Sequence, residues 1–229
     1  MANVVHTRDE LLFIVKAPYP AQRVGRPVGS LAKRWLDVVL ASCGILLLWP
    51  IFLICYTATV FSSPGPVLFR HKRIGFNGQT FNCLKFRTMV PDAPERLQRL
   101  LDSDPASAAE WRATRKLRCD PRVTAVGALL RKSSLDELPQ LFNVIRGDMS
   151  IVGPRPVMEE ELLRYQHNVG AYLACRPGIT GLWQVTGRST TSYGRRVACD
   201  AFYARNWSIG LDAKIVLATI PALFEDGAY

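Results

Sequence analysis

Lysine is scarce in this basic chain: of 29 Lys and Arg residues only 7 are Lys, against 22 Arg, and the formal net charge is +10. A guanidinium grips phosphate through two parallel hydrogen bonds where an ammonium acts as a point charge, so the bias suits phosphate or diphosphate partners. A GC-rich genome would give the same bias without any ligand, and anionic lipid headgroups would attract the same charge. The six cysteines, Cys43, Cys55, Cys83, Cys119, Cys175 and Cys199, lie far apart and include no C-x-x-C pair. That argues against a zinc site and a disulfide framework and for a reducing, cytosolic setting. Internal repeats and low-complexity tracts are absent too. The charge alone would allow a nucleic-acid binder. Such a protein would concentrate polar residues, however, and here 48% of residues are hydrophobic and mean hydropathy is +0.07.

The apolar content is concentrated. Residues 35–61, WLDVVLASCGILLLWPIFLICYTATVF, hold one charge, Asp37, and exceed the roughly 20 apolar residues a bilayer-spanning helix needs. The block begins too late, and is too long, for a cleavable signal. Pro50 interrupts it near the middle, where it removes a hydrogen bond and bends a helix. Basic groups flank both ends, Lys33 and Arg34 before, Arg70, Lys72 and Arg73 after. A crossing helix cannot keep both flanks on the positive, cytoplasmic side, whereas a helix that enters, bends and returns can. The re-entrant reading is favoured and a kinked span is its alternative. The expected organisation is a flexible arm over 1–30, a re-entrant membrane helix over 31–62 and a catalytic domain over 63–229.

After the breaker SSPGP, Val67–Arg70 and Thr80–Met89 read as strands around the Asn77-Gly78 turn signal. Helices are expected over 94–101, 106–117, 124–132 and 135–145. Residues 146–156 read as an irregular loop, 157–173 as a helix and 176–188 as loop or short strand. Tyr193–Asn206 and Leu211–Phe224 read as closing helices. In the last, Leu211, Ile215, Ala218 and Ala222 line one side and Val216, Ile220 and Leu223 extend it. That surface suits a membrane interface or the protein core equally well.

The chemistry concentrates in RKSSLDELPQLFNVIRGDMSIVGPRP, residues 131–156. An acid pair, Asp136-Glu137, stands at an expected helix start among basic groups at 131, 132, 146 and 155. Free N–H groups and the helix dipole favour anions there and keep carboxylates ionised. An ionised Asp among arginines could attack phosphorus, because the cations offset the repulsion from the phosphate. A structural alternative is equally legible: Ser134-Leu135-Asp136-Glu137 fits an S-x-x-E capping box. Pro154 and Pro156 bracket Arg155 and would restrain it for phosphate recognition.

Six ordered motifs resemble those of the bacterial sugar transferases, the monotopic phosphoglycosyl transferases. They are Lys33-Arg34-x-x-Asp37, Lys85-Phe86-Arg87-Thr88-Met89, Ser134 to Gln140, Asn143 to Ser150, Val152 to Pro156 and Arg176 to Gly181. The resemblance covers about residues 31–229, and it is strongest to the short exopolysaccharide first-sugar transferases of the succinoglycan galactosyl-phosphate type. It implies an α+β fold: a mostly helical monotopic membrane protein with a re-entrant helix, a small β-hairpin and interfacial amphipathic helices. It places the chain at the cytoplasmic face of a bacterial inner membrane, with membrane lipids as partners, no nucleic acid, and a homodimer left open.

The activity implied is transfer of a sugar 1-phosphate from a UDP-sugar to undecaprenyl phosphate. Galactose is the first expectation and glucose the second. The resemblance makes Asp136 the nucleophile and Glu137 the second acid, which either holds Mg2+ together with Asp136 or handles a proton. Arg131 and Arg155 are expected to contact phosphate, and Lys85, Arg87, Arg176 and Arg188 are further substrate-binding candidates. One departure is that Trp49, not Ser, precedes Pro50, so no hydroxyl is available there to satisfy a carbonyl freed in the bend. A noncatalytic membrane-surface assembly protein is the competing reading and would need no acid pair.

Overall fold

The computed structural model describes residues 25–114, 116–186 and 192–222. The expected arm therefore falls mostly outside the described residues, as do Arg188, Leu223 and Phe224. The apolar block forms two helices, α1 (Ser30–Leu47) and α2 (Trp49–Ser62), bent by 66° at the break between them. The bend falls at Leu48, two residues before Pro50. Pro50 lies in the first turn of α2, where its missing N–H needs no partner and its fixed φ suits a helix start. Leu48 donates to the Gly44 carbonyl and accepts from the Phe52 N–H, both at 2.9 Å. The backbone stays bonded across the bend without a neighbouring hydroxyl, and Trp49 turns outward, 60% exposed. No single helix among the described residues is long and apolar enough to cross a membrane. The bent pair together has that length and composition.

Strands β1 (Leu68–Ile74) and β2 (Thr80–Phe86) form an antiparallel hairpin that pairs Leu68 with Phe86 and Ile74 with Thr80. Its connection uses positive φ at Asn77 and Gly78, as the Asn-Gly signal requires. Helices α3 (Ala93–Ser103), α4 (Pro105–Thr114) and α5 (Ala125–Lys132) follow. The Thr124 hydroxyl caps α5 by accepting from Gly127 N–H at 2.9 Å.

The helix expected over 135–145 is split into a 3-10 turn, Leu135–Glu137, and α6 (Gln140–Arg146). Pro139 has no N–H to continue the ladder, so the turn ends and α6 restarts after it. The expected loop over 146–156 contains a strand, β3 (Ser150–Val152), which pairs in parallel with β4 (Gly178–Thr180). Three-residue strands carry too little periodicity to be read from sequence, and long-range packing creates them. A Cβ on Gly178 would lie 2.1 Å from the Gly153 nitrogen, so the two backbones touch where side chains would stand.

The helix expected over 157–173 breaks into α7 (Glu159–Leu162), a 3-10 segment Leu163–Asn168 and α8 (Val169–Leu173), with positive φ at Gln166. A short α9 (Leu182–Thr186) replaces part of the expected loop. Tyr193–Asn206 forms α10 as expected, and α11 runs Ile209–Ala222. The fold is thus mostly helical with a small hairpin, plus the unexpected parallel pair.

α11 divides its apolar residues: Ile215 is buried with Val152, Cys175 and Tyr203, while Leu217 and Ile220 face out.

Polar groups fix the first half of α1 to the rest of the domain. Lys33 donates to Asp212 of α11 at 2.6 Å. Asp37 accepts from the Ser150 hydroxyl and the Ile151 N–H, both at 3.0 Å. Arg34 donates to the carbonyls of Val144 and Ile145 at the end of α6. The opposite face of α1 and much of the rest of the pair are apolar and exposed, with Trp35 at 71%, Leu46 at 78%, Leu47 at 79% and Phe61 at 88%.

At the far end of α2, Arg87 donates to the carbonyls of Thr59, Ser63 and Pro66. It closes a helix end whose carbonyls lack intrahelical partners. Arg87→Met should lower the unfolding midpoint in detergent by the equivalent of about 2 kcal/mol or more, because three acceptors lose a charged donor. Arg87→Lys should recover only part of it.

Candidate active site

β2 delivers the central cation. Alternation puts Lys85 on the hairpin face that also carries Cys83 and, across the ladder, His71 and Arg73. The Lys85 ammonium lies 2.5 Å from Glu137 Oε1 and 3.9 Å from Asp136 Oδ2. Both acids sit on the 3-10 turn, which the chain enters through Ser134 at φ 56. A serine in the left-handed region is strained, and such strain clusters where a backbone must hold a particular side-chain geometry.

That backbone also removes the capping box. An N-cap needs an extended φ/ψ; Ser134 makes no side-chain cap bond, and Glu137 reaches to Lys85 instead. Arg131, in the last turn of α5, donates through Nε to the Thr88 hydroxyl at 2.9 Å. Thr88 follows Arg87, so one extended stretch, 85–88, ties the acid pair, the end of α2 and Arg131 together. α5 lies close to that stretch: a Cβ on Gly127 would come 2.1 Å from the Thr88 carbonyl oxygen.

Asp136 is buried, and burial pushes its carboxyl up to about 6. Lys85 and Arg131 oppose the rise and Glu137 adds to it. The expectation that this acid stays readily ionised at a helix start is therefore corrected. The element is a three-residue turn with little dipole, and desolvation outweighs the cations.

The other candidates divide by location. Arg155 stands exposed with its guanidinium 5.8 Å from the Trp183 ring centre. Its field reaches Arg73 and Cys83, neighbours of Lys85 on the hairpin face. Arg87 is buried against α2. Arg176 donates through Nε to the Gly147 carbonyl at 2.9 Å. It lines a cavity of about 190 Å3 with Phe76, Phe81 and Asp148, beyond the far end of α6 from the acid pair. Burial and then the Arg34 charge draw its pKa below the usual guanidinium range.

Neither His71 nor Arg73 is a site candidate by sequence, where Arg73 counts only as a basic flank of the apolar block, because β1 is expected to stop at Arg70. His71 Nδ1 accepts from Arg73 at 3.1 Å, and Arg73 pairs with Glu161 at 3.2 Å. Burial, Arg73 and Lys85 lower the His71 pKa. Extending the two-residue alternation past Arg70 would have put both on the Lys85 face.

Among the described residues no group of three His, Cys, Asp or Glu side chains could hold a metal by itself. The acid pair nevertheless suits Mg2+, which takes one or two carboxylates and completes its shell with phosphate oxygens and water. Lys85 already places a positive charge between the two carboxylates.

Buried Asp136 and half-buried Glu137, bridged by Lys85 and within the field of Arg131, form a compact cluster of acids and cations. The family model for bacterial sugar transferases matches residues 28–226. The exopolysaccharide production protein ExoY of Rhizobium meliloti is 55% identical over 205 residues, covering 89% of this chain and 91% of that protein. The undecaprenyl-phosphate galactose phosphotransferase of Salmonella typhimurium is 47% identical over 86% of this chain and 41% of its own length. The UDP-glucose:undecaprenyl-phosphate glucose-1-phosphate transferase of Caulobacter vibrioides is 42% identical, over 92% of this chain and 76% of its own. The chain belongs to the bacterial sugar transferase family and is, with that membership, a phosphoglycosyl transferase.

The raised Asp136 pKa gives a signed prediction. A folded-state pKa above the unfolded value means the folded state binds more protons, so this group's contribution to stability falls as pH rises from about 4 to about 6. Asp136→Asn should lose turnover. Without divalent ions its unfolding midpoint at pH 8 should equal or exceed the wild type's, and the gap should close at pH 4. A midpoint lower than wild type at pH 8 would restore a structural role for the carboxylate.

Proposed function

We propose that this enzyme transfers a sugar 1-phosphate, galactose 1-phosphate first among candidates, from a UDP-sugar to undecaprenyl phosphate. The step is the first in building an exopolysaccharide repeat unit at the cytoplasmic face of the inner membrane. The observation that carries the reading is the buried Asp136 held with Glu137 around Lys85, with Arg131 beside them. Galactose leads because the Salmonella relative named for galactose is 47% identical and the Caulobacter one named for glucose 42%.

In the first half-reaction a carboxylate oxygen of Asp136 attacks the phosphorus that bears the sugar. The bond from that phosphorus to the bridging oxygen breaks, and UMP leaves with the electron pair. In the second, an oxygen of undecaprenyl phosphate attacks the same phosphorus. The Asp136 carboxylate is released and a lipid diphosphate-linked sugar forms. Lys85 and Arg131 hold Asp136 ionised against its burial and offset the charge of the incoming phosphate. Arg155 orients the diphosphate. Glu137 and Asp136 would together hold Mg2+, which when bound supplies positive charge for the diphosphate and the departing UMP. Arg87 acts by fixing the end of α2 beside the site.

The membrane reading joins the bend at Leu48, the exposed apolar residues of α1 and α2, and the basic flanks. The bent pair dips into one leaflet and returns, so the lipid phosphate meets Asp136 at the surface. On this reading the re-entrant helix occupies 31–62 and the catalytic domain 63–229. Leu217 and Ile220 of α11 add a second interfacial contact.

Two experiments test this. With UDP-galactose and Mg2+ but no lipid phosphate, the wild type should release up to one equivalent of UMP, and the Asp136 peptide should gain the mass of the phosphosugar. UMP that appears only with lipid phosphate, with no adduct under rapid quench, would favour direct transfer. For topology, single cysteines near residues 30 and 72, in a background lacking the native ones, should both resist an impermeant thiol reagent in intact cells. Labelling at 30 alone would establish a crossing helix.

A further inference from the structure

A second cationic cluster lies next to Arg155. The guanidinium of Arg196, in the first turn of α10, stands 4.5 Å from the centre of the Trp183 ring, the same indole that Arg155 approaches at 5.8 Å. Trp183 is buried in α9 and gives both side chains a fixed platform, since an aromatic face attracts guanidinium. Among the described residues neither guanidinium makes a hydrogen bond or an ion pair, and the buried Nε of Arg196 has no acceptor. Two like charges over one ring are costly unless an anion joins them, and buried donors usually find partners.

The neighbourhood offers little compensation. Asp200, within the field of Arg155, is buried, accepts from the Tyr165 hydroxyl at 2.7 Å, and is pushed up to about 7. Its negative charge near neutral pH is therefore partial. Lys116 feels the same excess, its pKa lowered by burial and then by Arg155 and Arg196.

Resting on the function proposed above, we infer that Arg155 and Arg196, braced on Trp183, form the subsite for the nucleoside monophosphate half of the donor, with Arg196 on the departing phosphate. Phosphate is common to donor and acceptor lipid, and the extent of the cluster decides between them. The cations run from Lys85 at the acid pair, through Arg73 and Arg155, to Arg196. The donor carries charge on two linked phosphates and suits a series of cations, whereas the acceptor lipid carries one phosphate. The negative charge that collects on UMP as its bond breaks would then meet two planar donors already in place.

The test is equilibrium binding of UMP to the full chain in nanodiscs without lipid phosphate, alongside KM values for UDP-sugar and undecaprenyl phosphate. Arg196→Ala should weaken UMP binding and raise the KM for UDP-sugar, each by about tenfold or more, as loss of a charged hydrogen bond would. The KM for lipid phosphate and the unfolding midpoint should be unchanged. Arg196→Lys should fall between, and Arg205→Ala, which removes a charge from the same helix, should match wild type. Should Arg196→Ala prove poorly folded, Arg196→Gln takes its place. Unchanged UMP affinity in the variant would overturn the inference, as would a loss confined to the lipid-phosphate KM, which would assign the cluster to the acceptor. If wild type turns over no UDP-sugar yet binds UMP through Arg196, the proposed function fails and the nucleotide subsite stands.

Discussion

The polar lock at the base of α1 is the constraint on which the rest depends. An apolar helical hairpin has no reason of its own to hold a fixed angle to a polar domain. Lys33, Arg34 and Asp37 supply one by bonding to Asp212, the end of α6 and β3. These contacts reach three elements that are distant in sequence, so α1 cannot shift without breaking charged hydrogen bonds in a partly dry setting. Asp37 keeps one buried oxygen unpaired, a cost the other contacts must offset.

With α1 held, the orientation of α2 follows from the bend, and Arg87 carries it to the active site. Lys85, Arg87 and Thr88 share one extended stretch. They bind the acid pair, the end of α2 and Arg131 in turn. The end of α2 and the turn carrying Asp136 are thus tied to the same short stretch of chain. The same economy appears in Asp136: burial raises its pKa and lowers the stability of the fold, and the neighbouring cations keep it ionisable. A site built this way favours reactivity over stability.

The anionic donor proposed above would account for the charge of the chain better than surface solubility does. Among the described residues Arg131, Arg155 and Arg196 each hold at least part of a planar fork free of protein carboxylates, and two of them share one indole. Arg87 and Arg34 show the other use of the same residue, binding backbone carbonyls at helix ends. An arginine count cannot separate these uses, because both need a planar multiple donor.

Local chemistry was readable from the residues. The interrupted apolar block, the Asn77-Gly78 hairpin, the span of α10 and the acid pair with its arginines all depend on neighbours a few positions away. The family motifs carried the roles expected of Asp136 and Glu137. What the sequence could not determine rests on contacts between distant segments. The parallel pairing of β3 and β4 depends on Gly153 meeting Gly178. The loss of the Ser134 cap depends on a backbone twist and on Lys85, some fifty positions earlier, capturing Glu137. The elevated Asp136 pKa depends on burial, which no local pattern records. The convergence of Arg155 and Arg196 depends on Trp183 as their common neighbour. Periodicity and propensity act over one or two turns, while register, burial and electrostatic fields arise only once the whole chain has closed around them.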